Sequence, residues 1–276
     1  MRLVKAEFLK LLTTNVWWLF ALGAFLTWVV TFAFNAIGAH FLLTQPQSTD
    51  VPPENAAEIA AASDQVFQAA NLFTSGQFFG LMFVVLLGIV MVTNEFFHQT
   101  ATTTFLTTPH RTSVISAKLG VASICGVLFW VVTTALNIPA TMIFFSAENL
   151  PNHFGEWAVQ RAILLNGVAY LLWGILGVGI GVLMRSQIAA TVTAVLVYVL
   201  GTAVVGIVFT LLSDALNQDW INDAQYALPS IASSLMVSGT DVPGQPAFWV
   251  GAVILVAWAV VTGTLGTLIT RRRDIS

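Results

Sequence analysis

Six stretches of membrane-spanning length that carry almost no charge leave this chain few ways to fold. They run from Val16 to Gly38, Leu72 to Thr93, Val114 to Phe145 with an inner break, Ala162 to Met184, Ile188 to Leu212 and Phe248 to Thr270. A helix needs about 20 apolar residues to cross a hydrocarbon core of about 30 Å, and each stretch supplies that length. The expected fold is an all-α membrane protein with six transmembrane helices in a single domain, residues 1–276. A soluble fold would have to bury a composition that is 57% hydrophobic with only 8% charged residues, outside the range of soluble domains.

Charge sets the expected topology. Six crossings put both termini on one side, and nine of the ten Lys and Arg residues then share it: Arg2, Lys5, Lys10, Arg111, Lys118, Arg185 and Arg271 to Arg273. The positive-inside rule makes that side the cytoplasm and leaves Arg161 outside. Ten acids, among them Asp50, Asp64, Glu148, Glu156 and Asp241, fall in the outer loops, so the net charge of −3 is distributed as a dipole and implies no nucleic-acid partner. The first span is too long for a cleaved signal peptide. Cys125, the one cysteine, has no partner for an intrachain disulfide and reads as a buried thiol.

Between the spans the sequence predicts short elements and no soluble domain. Residues 1–14 form a basic amphipathic segment, with Leu3, Val4, Phe8, Leu9, Leu11 and Leu12 interleaved with Arg2, Lys5, Glu7 and Lys10, suited to the interface plane. Trp17 and Trp18 mark entry into the first span at headgroup depth. The outer loop 39–71 divides into a coil from Gln45 to Pro53 and an acidic, Ala-rich helix from Glu54 to Ala70. In the outer segment 213–246, the stretch Ala227 to Val237 is too short to cross and reads as re-entrant or as a surface loop.

Several chemistries lack their residues. None of Lys5, Lys10 and Lys118 follows a phosphate-binding glycine run, so this chain carries no such ATP site. The span interiors hold no Asp, Glu, Lys, Arg or His, which argues against ion-coupled transport. Glu95, His98 and His110 lack the HExxH spacing of a zinc helix, and no serine sits in a nucleophile elbow, so neither a metal nor a catalytic site is expected.

Uncharged polar residues remain. Thr27, Thr31 and Asn35 line one face of the first span, and Thr133, Asn137 and Thr141 one face of the third. Such faces either line a solute pathway or hydrogen-bond between helices. Gly76 with Gly80 and Gly177 with Gly181 have the spacing of close helix packing, within one chain or between copies. Pro139 removes a backbone donor and predicts a kink in the third span. The inner connection, residues 94–113, opens at Thr93 or Asn94 as a short helix with Glu95 in its first turn, and Pro109 ends its polar run.

The basic start from Val4 to Lys10, the six spans and the connection Glu95-Phe-Phe-His-Gln-Thr100 through Thr108-Pro-His-Arg111 to Lys118 resemble the membrane subunit of type-2 ATP-binding cassette transporters, in the bacterial form whose permease and ATPase are separate chains. Leu228, Pro229 and Ser230 are similar to a weaker family feature. The resemblance implies a coupling helix between spans two and three, with Glu95, His98, Thr100, Thr104, Pro109 and Arg111 transmitting ATP-driven movement. It also implies that the amphipathic start, with Lys5, Phe8 and Lys10, lies against the same ATPase. Where the family pattern often has glycine before Thr100, this chain has Gln99.

The implied assembly pairs this chain with a second permease copy or a related permease and with ATPase subunits that hold ATP and Mg, in a bacterial plasma membrane. The implied activity is export of an amphipathic drug, peptide or lipid-like compound. A membrane scaffold or sensor of an immunity or signalling complex, and an ATP-independent carrier, are the alternatives.

Overall fold

The computed structural model describes residues 2–44, 59–99, 111–184, 186–216, 218–240 and 244–272, and among them every regular element is helical. α1 (Arg2–Leu12) precedes α2 (Val16–Thr44); α3 (Gln65–Phe73) and α4 (Gln77–Phe97) follow, then α5 (Arg111–Ala147) and α6 (Trp157–Leu183). α7 (Gln187–Leu196), a π turn (Val197–Gly201) and α8 (Thr202–Leu216) form one further rod. α9 (Asp219–Asp223), a 3₁₀ turn (Ala224–Ala227), α10 (Pro229–Met236) and α11 (Phe248–Arg272) complete the chain. Six helical rods are long and apolar enough to cross a membrane, the architecture of a multi-pass membrane protein.

The predicted spans are present with altered ends. α2 continues past Gly38 to Thr44 because Ala39 is buried and His40 pairs with Glu148 at 2.9 Å across the far end of the bundle. The predicted outer helix from Glu54 to Ala70 is interrupted within the described residues: Asp64 is extended and caps a new helix, its carboxylate accepting from Phe67 N at 2.8 Å. The second span is broken as well, at Thr74 to Gly76, where Gly76 has φ +80 and takes the left-handed conformation that a side chain would disfavour.

α5 is unbroken through Pro139, contrary to the expected interruption. A proline costs one hydrogen bond, and neighbouring helices can hold the rod together. Besides the break in the second span, an irregularity lies in the π turn of the fifth span, where the buried Tyr198 donates to Phe78 O at 2.7 Å. α5 ends at Ala147 in a Schellman turn: Asn149, at φ +57, donates to Ser146 O at 3.3 Å, and Leu150 donates to Phe145 O at 2.9 Å.

Spans two and four form the centre, with 78% and 67% of their apolar windows buried, against 6% for the first and the fifth. Glycine lets the central helices touch. A Cβ on Gly88 would lie 2.9 Å from the backbone of Gly177, and one on Gly177 would strike Val85 O. Gly126 and Gly174 similarly bring α5 against α6. Gly177 thus packs within one chain, whereas Gly76 serves a backbone turn rather than a helix contact. In water-poor surroundings such close approach supplies the packing that apolar side chains alone do not.

Within the stretch from Ala227 to Val237 lies α10, a helix starting at Pro229 with Ala232, Ser233, Leu235 and Met236 buried. Trp173 Nε1 donates to Ser233 Oγ at 2.8 Å, and a Cβ on Gly251 would strike Ala232 O. The segment is a short, largely buried helix lodged between α6 and α11.

Candidate functional site

Two polar sites stand out, one at each end of the bundle. The first joins α1 to the C-terminal end of α4 and the N-terminal end of α5. On α1 the apolar stripe Val4, Phe8, Leu11 is interrupted by Glu7, which is 5% exposed. On α5 the buried stripe Val114, Ile115, Val121, Ala122, Cys125 is interrupted by Lys118, 2% exposed. The two stripes face each other, so acid and base meet: Lys118 Nζ donates to Glu7 Oε2 at 2.6 Å and to Met91 O at 3.0 Å, and lies 3.0 Å from Glu95 Oε1. Lys10 Nζ bridges the same two acids, at 2.7 Å from Glu7 Oε1 and 2.9 Å from Glu95 Oε1.

Two carboxylates and two ammonium groups make a neutral cluster in which the three donors of Lys118 each have a partner. Neutrality matters because an isolated buried charge costs several kcal/mol of lost hydration. Burial alone would raise the Glu7 carboxyl, but the charge of Lys118 with the hydrogen bonds from Lys10 and Lys118 outweighs it and holds Glu7 below its ordinary value. For Lys10 burial likewise opposes charge, and the hydrogen bonds to Glu7 and Glu95 outweigh it, so Lys10 lies above its ordinary value.

These shifts predict a pH response. A depressed Glu7 contributes stability that is complete above about 4.5 and is lost as pH falls through its folded value; a raised Lys10 contributes below about 10.5 and fails only above that. The thermal midpoint of the wild-type chain should fall on acidification below pH 4.5 more steeply than that of Glu7→Gln, measured across pH 3 to 8.

The structure places the anticipated coupling residues unevenly. Thr93, Asn94 and Glu95 close α4 instead of opening a new helix, since α4 runs to Phe97 without interruption. Glu95 faces inward to the cluster, while His98 is exposed, caps α4 and stacks edge-on against Phe97. Thr100, Thr104 and Pro109 lie outside the described residues, and Arg111 begins α5. Lys5 is exposed on α1, and Phe8 is half-buried against the core beneath it.

Gln99 has φ +55 and donates to Phe96 O at 3.2 Å, the left-handed position after a helix that favours glycine. Gln99→Gly should therefore raise stability by about 1 kcal/mol, read from a denaturation midpoint, and Gln99→Val should lower it.

The second site lies at the far end, around the break in the second span. Asn137 Nδ2 donates to Ser75 O at 3.0 Å, Asn35 Nδ2 to Ser75 Oγ at 2.9 Å, and Trp28 Nε1 to Asn137 Oδ1 at 2.7 Å. The asparagines of both predicted polar faces thus satisfy the backbone and side chain that the break exposes. Beside them opens a cavity of about 530 Å³ between α2, the break and the α10 region.

Thr31 and Asn35 line this cavity. Thr27 bonds to the carbonyls of its own helix, Thr133 borders an apolar groove under α1 and α2, and Asn137 and Thr141 are fully buried between helices. Arg161 is structural here, its Nη2 donating to Ser238 O at 3.1 Å and Gly239 O at 3.2 Å, with its guanidinium 3.9 Å from the Phe248 ring.

Glu7 and Lys118 were the missed members of the charge cluster, and Asn71, Gln77, Gln225 and Gln245 those of the cavity. A charged residue inside an apolar stripe of period 3.6 is the signal that identifies the first pair. The run Asn71 to Gln77, with Thr74, Ser75 and Gly76 inside it, marks the break that opens the cavity. Compared with known proteins, the chain matches no family model and no curated sequence.

Proposed function

We propose that this chain is the permease subunit of a bacterial ATP-binding cassette exporter, with both termini in the cytoplasm, acting with a separate ATPase and a second permease. The observation that supports the reading most is the four-charge cluster. It ties α1 to Glu95 at the end of α4 and Lys118 near the start of α5, the two stems of the connection that resembles a coupling helix. A partner pressing on that connection or on α1 would move spans one, two and three together, because the cluster leaves few independent ways for these ends to shift. Glu95 then acts through the cluster as a positioning residue, and the exposed Lys5 and His98 are the surface offered to the ATPase.

The broken second span and the polar cavity beside it supply the path for solute. The test is purification of the tagged chain in mild detergent from its native membrane, with mass spectrometry of the stoichiometric partners. Recovery of an ATPase bearing a phosphate-binding loop is the expected result. Recovery of the chain alone, in a preparation that still moves solute, would overturn the reading in favour of a carrier.

A further inference from the structure

We propose that the cavity at the far end of the bundle binds an uncharged polyhydroxyl group: the sugar headgroup of a glycolipid, or a free oligosaccharide of the same chemistry. As the substrate class of an exporter this rests on the function proposed above; as a binding site it stands on its own geometry. Among the described residues no Asp, Glu, Lys, Arg or His lines the cavity, so a charged ligand would lose its hydration without a counter-charge from them. A purely apolar ligand would leave the carboxamide oxygens of the lining without partners.

The lining also specifies what the ligand must offer. Asn35 uses one N–H of its Nδ2 on Ser75 Oγ at 2.9 Å, Gln77 one of its Nε2 on Ser233 O at 3.3 Å, and Gln225 one of its Nε2 on Asn222 Oδ1 at 2.9 Å. Their three carbonyl oxygens accept nothing among the described residues and call for a ligand rich in donors. The side chains of Asn71 and Gln245, both exposed, make no hydrogen bond among the described residues and can both donate and accept. Hydroxyl groups, which do both, complement this set.

Size and access agree. About 530 Å³ is within the range of small-molecule sites, and Phe67, Phe78 and Tyr226 add the aromatic walls such sites use against the apolar face of a ligand ring. One wall is α2, the span that buries only 6% of its apolar window, so a lipid headgroup can enter sideways while its acyl chains stay along α2.

The test uses the full chain in phosphatidylcholine nanodiscs. In one arm, radiolabelled maltose is titrated by scintillation proximity; in the other, discs contain equal fractions of diglucosyl-diacylglycerol and phosphatidylglycerol, and native mass spectrometry counts the lipids retained. Saturable maltose binding identifies a free-sugar site, and selective retention of the glycolipid alone identifies a headgroup site; either supports the proposal. The double variant Asn71→Leu with Gln245→Leu should weaken binding about tenfold at an unchanged melting temperature. If that variant melts early, Gln245→Leu alone should still weaken binding about threefold.

No binding in either arm, preferential retention of phosphatidylglycerol, or unchanged affinity in a folded variant would overturn the assignment. The measurement needs no ATPase. Loss of sugar binding while an ATPase still copurifies would therefore remove the substrate class and leave the exporter, and sugar binding without any ATPase would do the reverse.

Discussion

Lys118→Ala should destabilise the folded chain by about 3–5 kcal/mol, since it leaves Glu7 and Glu95 buried with only the half-exposed Lys10 between them. The loss should concentrate at the α1 end: hydrogen exchange in α1 and in the last turn of α4 would rise well before that of α6. Charge balance, not bulk, is the cause. Lys118→Met, which keeps the volume of the stem, should fall nearly as far as Lys118→Ala, and the double variant Glu7→Leu with Lys118→Met should recover part of the loss by removing an acid together with its partner. Equal stability of wild type and Lys118→Met in thermal melts would show that the cluster contributes nothing.

Gly177→Leu should be at least as damaging. Its first new atom would clash with Val85 O, and a Cβ at the adjacent Gly88 would lie 2.9 Å from the Gly177 backbone, so the obstacle on each side is main chain and no side chain can turn aside. The helices must separate, which opens the buried seam of α4 and α6 that includes Leu81, Val84, Trp173 and Leu176. Overpacking of a core typically costs about 1–3 kcal/mol, and a rigid backbone clash belongs at or above the top of that range. Gly120→Ala is the control: a Cβ there meets nothing within 4 Å, and alanine should stabilise α5 by up to about 1 kcal/mol. A folded, monodisperse Gly177→Leu protein with a wild-type melting temperature would refute this account of the central packing.

Much of the frame was legible in the residues. Apolar length alone located six rods, and an acidic residue within the stripe Val4, Phe8, Leu11 was visible before any contact was known. Legibility failed at the ends and at the break. Pro139 reads as the interruption of a span, yet α5 passes through it, whereas Thr74 to Gly76 reads as ordinary small residues within a helix and is the place where the second span divides. The cost of a broken backbone depends on who satisfies its polar groups. Ser75 can leave the helix because Asn35 and Asn137, from two other spans, pair with it.

The same division holds for the sites. Composition and charge placement determined a six-helix, all-α chain with few charges in its spans, since each of those properties depends on a residue and its near neighbours along the rod. Tertiary structure alone decided that Glu7, Lys10, Glu95 and Lys118 form one neutral cluster, and that the carboxamides of Asn35, Asn71, Gln77, Gln225 and Gln245 surround one cavity. Those groups lie on different helices. Hydropathy reports how far a segment prefers lipid to water but carries nothing about azimuth or partner; the close contacts at Gly88, Gly126, Gly174 and Gly177 set which faces meet.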